Sequence, residues 1–454
     1  MKRLFLRIVV YVCVFTVFVG GVGLFGLIHS RKDFYGSIRE MPIPSLQGVV
    51  RPKYDPSKPT VAVLLGNETT EGSDFAIPYE LFSKTGAFNV YAVASDNQVR
   101  SLTGGLDVVP HYSFEEMDQL LGKSPDIIAI PYMTMQDEKK FEPVRNWIQQ
   151  HSETTLLSIC GGSGNLAETG LVKGKSAASH WQNMPFFPKQ YPETNWLRDQ
   201  RWVHDGNVVS SAGVSSGIDA VLYVISQRLG DSVAENMAKE MKYPSYHYVQ
   251  NPKMDPFDYD MRTYLLNNAY QWNKTKAGVL LYNGVEEMAL ASVFDIYSDT
   301  GTTNVLAISS SEQAIVTKHG LNLIPRYVFS NVPALDKMII PGREAQSLAV
   351  EEIKAWNEKG NTKEVQFVHS ESPNRFIFEV QFEDLAKQED LLTAEHAVRR
   401  LEFRANDIQL DGQPFPFETY GNILLTGLIA LLLAFYIDRR FIVKKSEDTL
   451  TGSV

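Results

Sequence analysis

Cys160 ends an apolar run, LLSIC, and is followed at once by Gly161 and Gly162; His180 and Trp181 close the same stretch. A strand that stops at a nucleophile and turns sharply into a helix exposes that side chain at the C-terminal edge of a sheet. Small residues must follow so tight a turn, and two glycines do. The arrangement is that of a nucleophile elbow with sulfur in place of oxygen. The amides that begin the next segment, around Gly161 and Gly162, are placed to stabilise a thiolate or to hold an oxyanion. The competing reading is an inert buried thiol at a tight turn.

The elements that position such a turn are legible on both sides. VAVLL (61–65), NVYAVA (89–94), DIIAIP (126–131) and TTLLSIC (154–160) read as strands, and 74–85 and 138–150 as helices, with Gly86 as a helix stop. Strands alternating with helices predict a parallel sheet covered on both faces. The chain also repeats itself. VAVLLGN…IPYELFSKTGAFNVYAVAS resembles AGVLLYN…SVFDIYSDTGTTNVLAISS, GGLDVVPHYSF resembles HGLNLIPRYVF, and DIIAIP resembles DKMIIP. Trp147 then pairs with Trp356, and Cys160 with His369 at the same spacing. Two copies of one α/β unit are expected, at 60–245 and 276–405, joined by a linker at 246–275 to which no chemistry is assigned. The second copy is degenerate: it has no Cys-Gly-Gly and no counterpart of DGNVVSSAGVSSGIDAVLYVI (205–225).

ICGGSGNLAETGLVKGKSAASHW resembles the elbow of the DJ-1/PfpI superfamily, the class I glutamine-amidotransferase-like fold. It is most similar to the amidotransferase-like domain of AraC-type regulators, through Gly170, Leu171, Gly174, Ala177, His180 and Trp181. The resemblance covers residues 60–245 and implies a flavodoxin-like three-layer sandwich. It also implies an acid from the first strand–helix loop set against the cysteine, which by spacing is Asp74, with Glu71 and Glu68 as weaker alternatives. Asp74 also suits a helix N-cap. The family histidine corresponds to His180, as base or orienting partner. The catalytic set expected on this basis is Cys160, His180 and Asp74, with Gly161 and Gly162 as anion-binding amides. Tyr132 and Met133 stand where the family often has glycines, which puts an efficient oxyanion hole in doubt. The second copy has Ala289 at the place of Asp74 and is not expected to be a cysteine-based site.

Ile8 to Ile28 carries no charge and at ~1.5 Å per residue spans a ~30 Å hydrocarbon core. Tyr420 to Ile437 is a second apolar stretch, followed by Arg439, Arg440, Lys444 and Lys445. The expectation is an anchor at 1–28, a Pro-rich stalk at 29–59, a juxtamembrane segment at 406–419, a second span at 420–437 and a basic tail at 438–454. The positive-inside rule then places both termini in the cytoplasm of a two-pass cell-membrane protein with its main domains outside. A net charge of −10 and the lack of a basic patch argue against nucleic acid. Cys13 and Cys160 are the two cysteines, so a cysteine-built zinc site is excluded, and neither cofactor nor metal is expected. The partners expected are a small-molecule ligand or peptide, the lipid bilayer, the second copy as an intrachain pseudo-dimer, and membrane proteins. Cys160 chemistry of hydrolase, amidase or carbonyl-removing type is the first functional reading; a non-catalytic ligand or redox sensor is the alternative.

Overall fold

The computed structural model describes residues 2–358, 365–404 and 408–443. Lys444 and Lys445 lie outside the described residues. Eight helices matter to the site: α1 (Lys2–Tyr35), α2 (Gly72–Lys84), α3 (Gly162–Ala167), α4 (Val214–Leu229), α5 (Arg262–Tyr270), α6 (Glu287–Ser298), α7 (Leu391–Arg400) and α8 (Phe417–Ile437). The first sheet holds β1 (Thr60–Leu64), β2 (Asn89–Ala94), β3 (Tyr112–Ser113), β4 (Ile127–Ile130), β5 (Thr155–Ser158), β6 (Trp202–Asp205) and β7 (Val208–Ser211). Its order is β6-β7-β5-β4-β1-β2-β3, parallel except for β6 against β7. The strands at its centre are buried throughout, as their unbroken apolar runs require.

A second sheet follows: β8 (Thr275–Leu280), β9 (Thr303–Ser309), β10 (Tyr327–Val328), β11 (Lys337–Ile339) and β12 (Val365–Gln366). It runs β10-β9-β8-β11-β12 and is parallel throughout. That is the order β3-β2-β1-β4-β5 of the first sheet, without the two strands beyond β5. A third, smaller sheet joins the halves. Asp107–Val109 pairs antiparallel with Asn322–Ile324, and Val108 sits opposite Leu323.

Between the sheets α2 packs on α6. Glu80 of α2 accepts the Met288 N–H of α6 (2.7 Å), and Asp295 of α6 accepts the Ser73 N–H of α2 (2.6 Å). Each helix thus has a buried carboxyl from the other answering an N–H of its first turn, where the backbone has no partner of its own. The largest apolar cluster runs through both halves, with Phe75, Phe82, Phe294 and Phe378 fully buried.

Two expectations about the flanks change. The first helix does not stop at Ile28 but continues to Tyr35. The segment after it is a strap rather than a free stalk. Arg39 pairs with Asp107 (2.8 Å), the Gln47 carbonyl accepts from Ala314, and Val50 exchanges hydrogen bonds with the Asn322 side chain (2.8 Å each). Its prolines leave few backbone donors, and those contacts supply partners from both halves. Helices α1 and α8 are both long and apolar enough to cross a membrane. They pack on each other, with Arg7 paired to the buried Asp438 (2.9 Å).

Candidate functional site

Cys160 follows β5 and adopts φ 55°, in the left-handed region that non-glycine residues rarely occupy. Its own N–H donates to Ser211 Oγ (3.0 Å) and its carbonyl accepts from Ser163 Oγ (3.0 Å), so the neighbouring strand and the next helix hold the strained residue. The glycines after it are required by space. A Cβ on Gly162 would lie 2.1 Å from the Ile130 carbonyl oxygen, and one on Gly161 would meet the Tyr132 ring at 2.9 Å.

The thiol borders a cavity of about 550 Å³. Its polar wall is Glu71, Asp74, His180 and Arg400, with the Gly161 backbone. Leu27, Arg31 and Tyr35 of α1 form a second wall, and Tyr259, Met261, Tyr264 and Leu265 a third. Cys160, Asp74, His180 and Gly161, chosen from sequence, therefore meet at one cavity. Their states differ from those expected.

Asp74 is not the N-cap of α2. Glu71 is the cap: its Oε2 accepts the Asp74 N–H (2.5 Å), and Asp74 lies within the first turn. Asp74 Oδ2 accepts the Tyr132 N–H (3.2 Å), while its Oδ1 and Glu71 Oε1 have no hydrogen-bond partner among the described residues. Burial pushes both carboxyls up to about 8, Glu71 with the help of Asp74's charge, so both hold a proton at neutral pH. Burial, and then Asp74, push the Cys160 thiol well above its ordinary value. The resting group is a thiol, not a standing thiolate.

His180 does not serve as a base toward sulfur in this arrangement. Its Nε2 donates to the Arg400 carbonyl (2.9 Å) and its Nδ1 faces the Gln182 N–H (3.4 Å). Burial and Arg400 lower it to about 3, so it stays neutral. Trp181 Nε1 likewise donates to the Arg399 carbonyl (2.9 Å). The His-Trp pair thus fastens the end of α7, from the second half, onto the elbow. Of the two expected anion-binding amides, Gly161 borders the cavity and Gly162 is committed elsewhere, as is the nearby amide of Met133. Gly162 N–H donates to the Ile159 carbonyl (2.8 Å), and Met133 N–H to Asn165 Oδ1 (3.0 Å).

Sequence reasoning missed Arg400. It is 4% exposed, lies 3.1 Å from Asp299 and 3.6 Å from Glu71, and its Nη1 has no hydrogen-bond partner among the described residues. Two adjacent arginines at the end of a helix with an apolar face were the available signal. Glu402 was missed as well. It has φ 50°, its carboxyl accepts the Trp181 N–H (3.2 Å), and its carbonyl accepts from Arg201 and Ser215. A side chain on Gly213 would collide with it. Arg201 is itself buried against Asp219 (2.5 Å). Outside the cavity, Glu80, Glu287 and His319 bring ligand-type atoms within 4.8 Å of one another. Glu80 caps α6, and Glu287 holds the His319 N–H and ring (2.7 Å); these bonds place the cluster in the seam between the halves.

The DJ-1/PfpI family model matches residues 59–227. Isonitrile hydratase of Pseudomonas putida is 27% identical over 175 residues, 37% of this chain and 72% of the hydratase. The HTH-type transcriptional regulator CdhR of Pseudomonas aeruginosa is 31% identical over 109 residues, 22% of this chain and 32% of the regulator. Among solved structures, a DJ-1 superfamily protein from Salmonella typhimurium aligns with 41% of this chain and 99% of its own, at 21% identity and a TM-score of 0.36. An AraC family regulator from Pseudomonas putida aligns with 39% of this chain and 96% of its own, at 15% identity and a TM-score of 0.34. Residues 59–227, which carry Cys160, Asp74 and His180, are a DJ-1/PfpI family domain.

Proposed function

We propose that this is a membrane-anchored protein whose Cys160 carries out thiol chemistry on a small molecule with a carbon multiply bonded to a heteroatom. The observation that carries this reading is the strained Cys160 at a cavity whose polar wall holds two protonated carboxyls. The relative named isonitrile hydratase points to the same substrate class. In the step envisaged for an isonitrile, the sulfur bonds to the terminal carbon as that carbon takes the proton of Asp74, giving a thioimidate, and Asp74 receives the proton of the thiol. Water adds to the same carbon, the C–S bond breaks, the sulfur leaves as the restored thiol and the product is the formamide. A carboxyl titrating near 8 is matched to such an exchange at neutral pH.

On this reading the second half is a degenerate copy. The equal strand order, the antiparallel pairing centred on Val108 and Leu323, and the exchanged caps of α2 and α6 support an intrachain pseudo-dimer. It acts on the site by supplying Arg400. Helices α1 and α8 would be the two spans, with Arg7 and Asp438 at a shared cytoplasmic end.

The test is a screen of isonitriles, aldehydes and primary amides against the full chain and Cys160→Ser. Turnover by the wild type, reduced at least a thousandfold in the variant, is expected. Turnover equal in the two would sink the reading. A second reading, a ligand sensor without turnover, is favoured by one observation: the amides of Gly162, Tyr132 and Met133 all have partners already. Tight binding of a screened compound with no product from the wild type would establish that reading instead.

A further inference from the structure

Leu27, Arg31 and Tyr35 lie one turn apart along a single face of α1, and all three line the cavity of Cys160. That face climbs about 12 Å from the last apolar turn of the helix to the level of the elbow. At its top, Tyr35 packs edge-on against Tyr132 (6.3 Å between rings), beside Gly161. At its bottom, α5 is pressed against α1. A Cβ on Gly26 would lie 2.2 Å from the Ala269 carbonyl oxygen, and the Tyr270 hydroxyl donates to the carbonyl of Val19, inside the apolar run. The cavity floor therefore sits at the level where α1 leaves its apolar stretch. Leu265, 44% exposed on α5, stands beside it; the exposed Trp272 follows α5, and the exposed Phe417 and Tyr420 lie in the first turn of α8, which packs on α5, residues suited to a membrane interface. At the far end the cavity is lined by the buried Arg400, whose Nη1 has no hydrogen-bond partner among the described residues.

We propose that the cavity takes an amphiphilic anion from the bilayer, its carboxylate or phosphate head on Arg400 beside Cys160 and its apolar chain running down the α1 face past Leu27 and Leu265. This rests on the anchoring read above and names a class of ligand for the same cavity. A guanidinium is the side chain best suited to a planar or tetrahedral oxyanion, and leaving one of its donors unpaired in a buried place costs free energy that a ligand oxygen would recover. The two carboxyls on the same wall, protonated at neutral pH, would donate to such a head group rather than repel it. An apolar chain gains from burial against Leu27 and Leu265 and never has to cross water to reach them.

The test uses the full chain in phosphatidylcholine nanodiscs and a dodecanoate with a photoreactive diazirine at the tail end. Labelling is expected to concentrate on residues 19–35 and 259–270. Dodecanoate and dodecyl phosphate should compete, while acetate and inorganic phosphate at the same concentration should not. Arg400→Gln should reduce the labelling at least tenfold. Leu265→Gln, at an exposed position that should not disturb folding, should reduce it about threefold. Labelling spread along α8 and unchanged in both variants would show partition into lipid only and overturn the proposal. Equal competition by acetate or inorganic phosphate would assign the site to a soluble anion and also overturn it. Flotation with phosphatidylcholine vesicles separates the underlying reading: a chain that does not float refutes the anchoring itself, while one that floats but is not labelled refutes only this ligand.

Discussion

The turn after β5 and the turn after β12 follow corresponding strands of two sheets that share the order of five strands, yet the first opens on the cavity of Cys160 and the second is filled by a histidine. After β5 stands Cys160, followed by two glycines that let Ile130 and Tyr132 approach closely. After β12 stands His369, 1% exposed, whose Nδ1 accepts the Gly342 N–H (2.9 Å) and whose Nε2 lies 3.0 Å from the Gln381 side-chain amide. Burial lowers His369 to about 3, so it is a neutral core residue. Where Asp74 faces the cavity, Ala289 is packed. The difference teaches what a site of this kind requires beyond its sheet: a buried carboxyl, room, and closing walls from outside the unit. At its own turn the second half has Ala289 in place of that carboxyl and His369 filling the space, and it lends its Arg400 to the first.

The largest effect should come from moving the carboxyl. Ala289→Asp places an unpaired carboxyl in a filled core and should cost about 3 kcal/mol or more in urea denaturation. Asp74→Ala removes one from a cavity wall and should change stability by less than about 1 kcal/mol. Equal losses would erase the distinction. Next, Gly162→Ala sets a Cβ against backbone and should cost about 2 kcal/mol. Glu371→Ala, at the matching but exposed position of the second half, should stay within about 0.5 kcal/mol.

The pH dependence of stability divides the same way. In the first half, Glu71 and Asp74 hold protons up to about 8, where an unfolded chain has released them above about 4. The folded state therefore binds more protons in that window, and stability should fall as pH rises through it. His180 and His369, held neutral to about 3, work in the opposite sense: stability should fall as pH drops below about 6.5, where unfolded histidines gain protons. Thermal unfolding should thus be highest in mildly acidic buffer. The double variant Glu71→Gln/Asp74→Asn should flatten the alkaline side alone. The smallest expected effect is on the thiol. Alkylation of Cys160 should titrate above the ordinary ~8.5, and Asp74→Asn should lower its midpoint, since a carboxylate beside the sulfur disfavours the thiolate. An unchanged midpoint would remove Asp74 from the neighbourhood of the sulfur.

The parts of this site that were legible in the sequence are those whose constraint is local. A cysteine at positive φ over a backbone carbonyl needs glycine next to it, so Cys-Gly-Gly is written in three consecutive residues. The central strands of both sheets are buried on both faces, so unbroken apolar runs marked them. Arg400, Arg31 and Tyr264 escaped because the cavity is closed by elements far apart in the chain. Helix α5 carries no one-sided apolar pattern, since α1, α7 and α8 each take part of its surface. His180 lines the cavity, but the Arg400 carbonyl that takes its Nε2 lies in the other half, where a local motif carries no mark of it.

The fastening of α7 to the elbow through His180, Trp181 and Glu402 bears on mass action. A wall contributed by a second molecule would be present only above some dissociation constant, and dilution would strip it away. Here the chain itself fixes the local concentration of Arg400 at a value set by connectivity, of order millimolar or higher for a tethered segment. The fraction of molecules with a closed cavity is then independent of how many molecules there are, and a single copy has all of its walls.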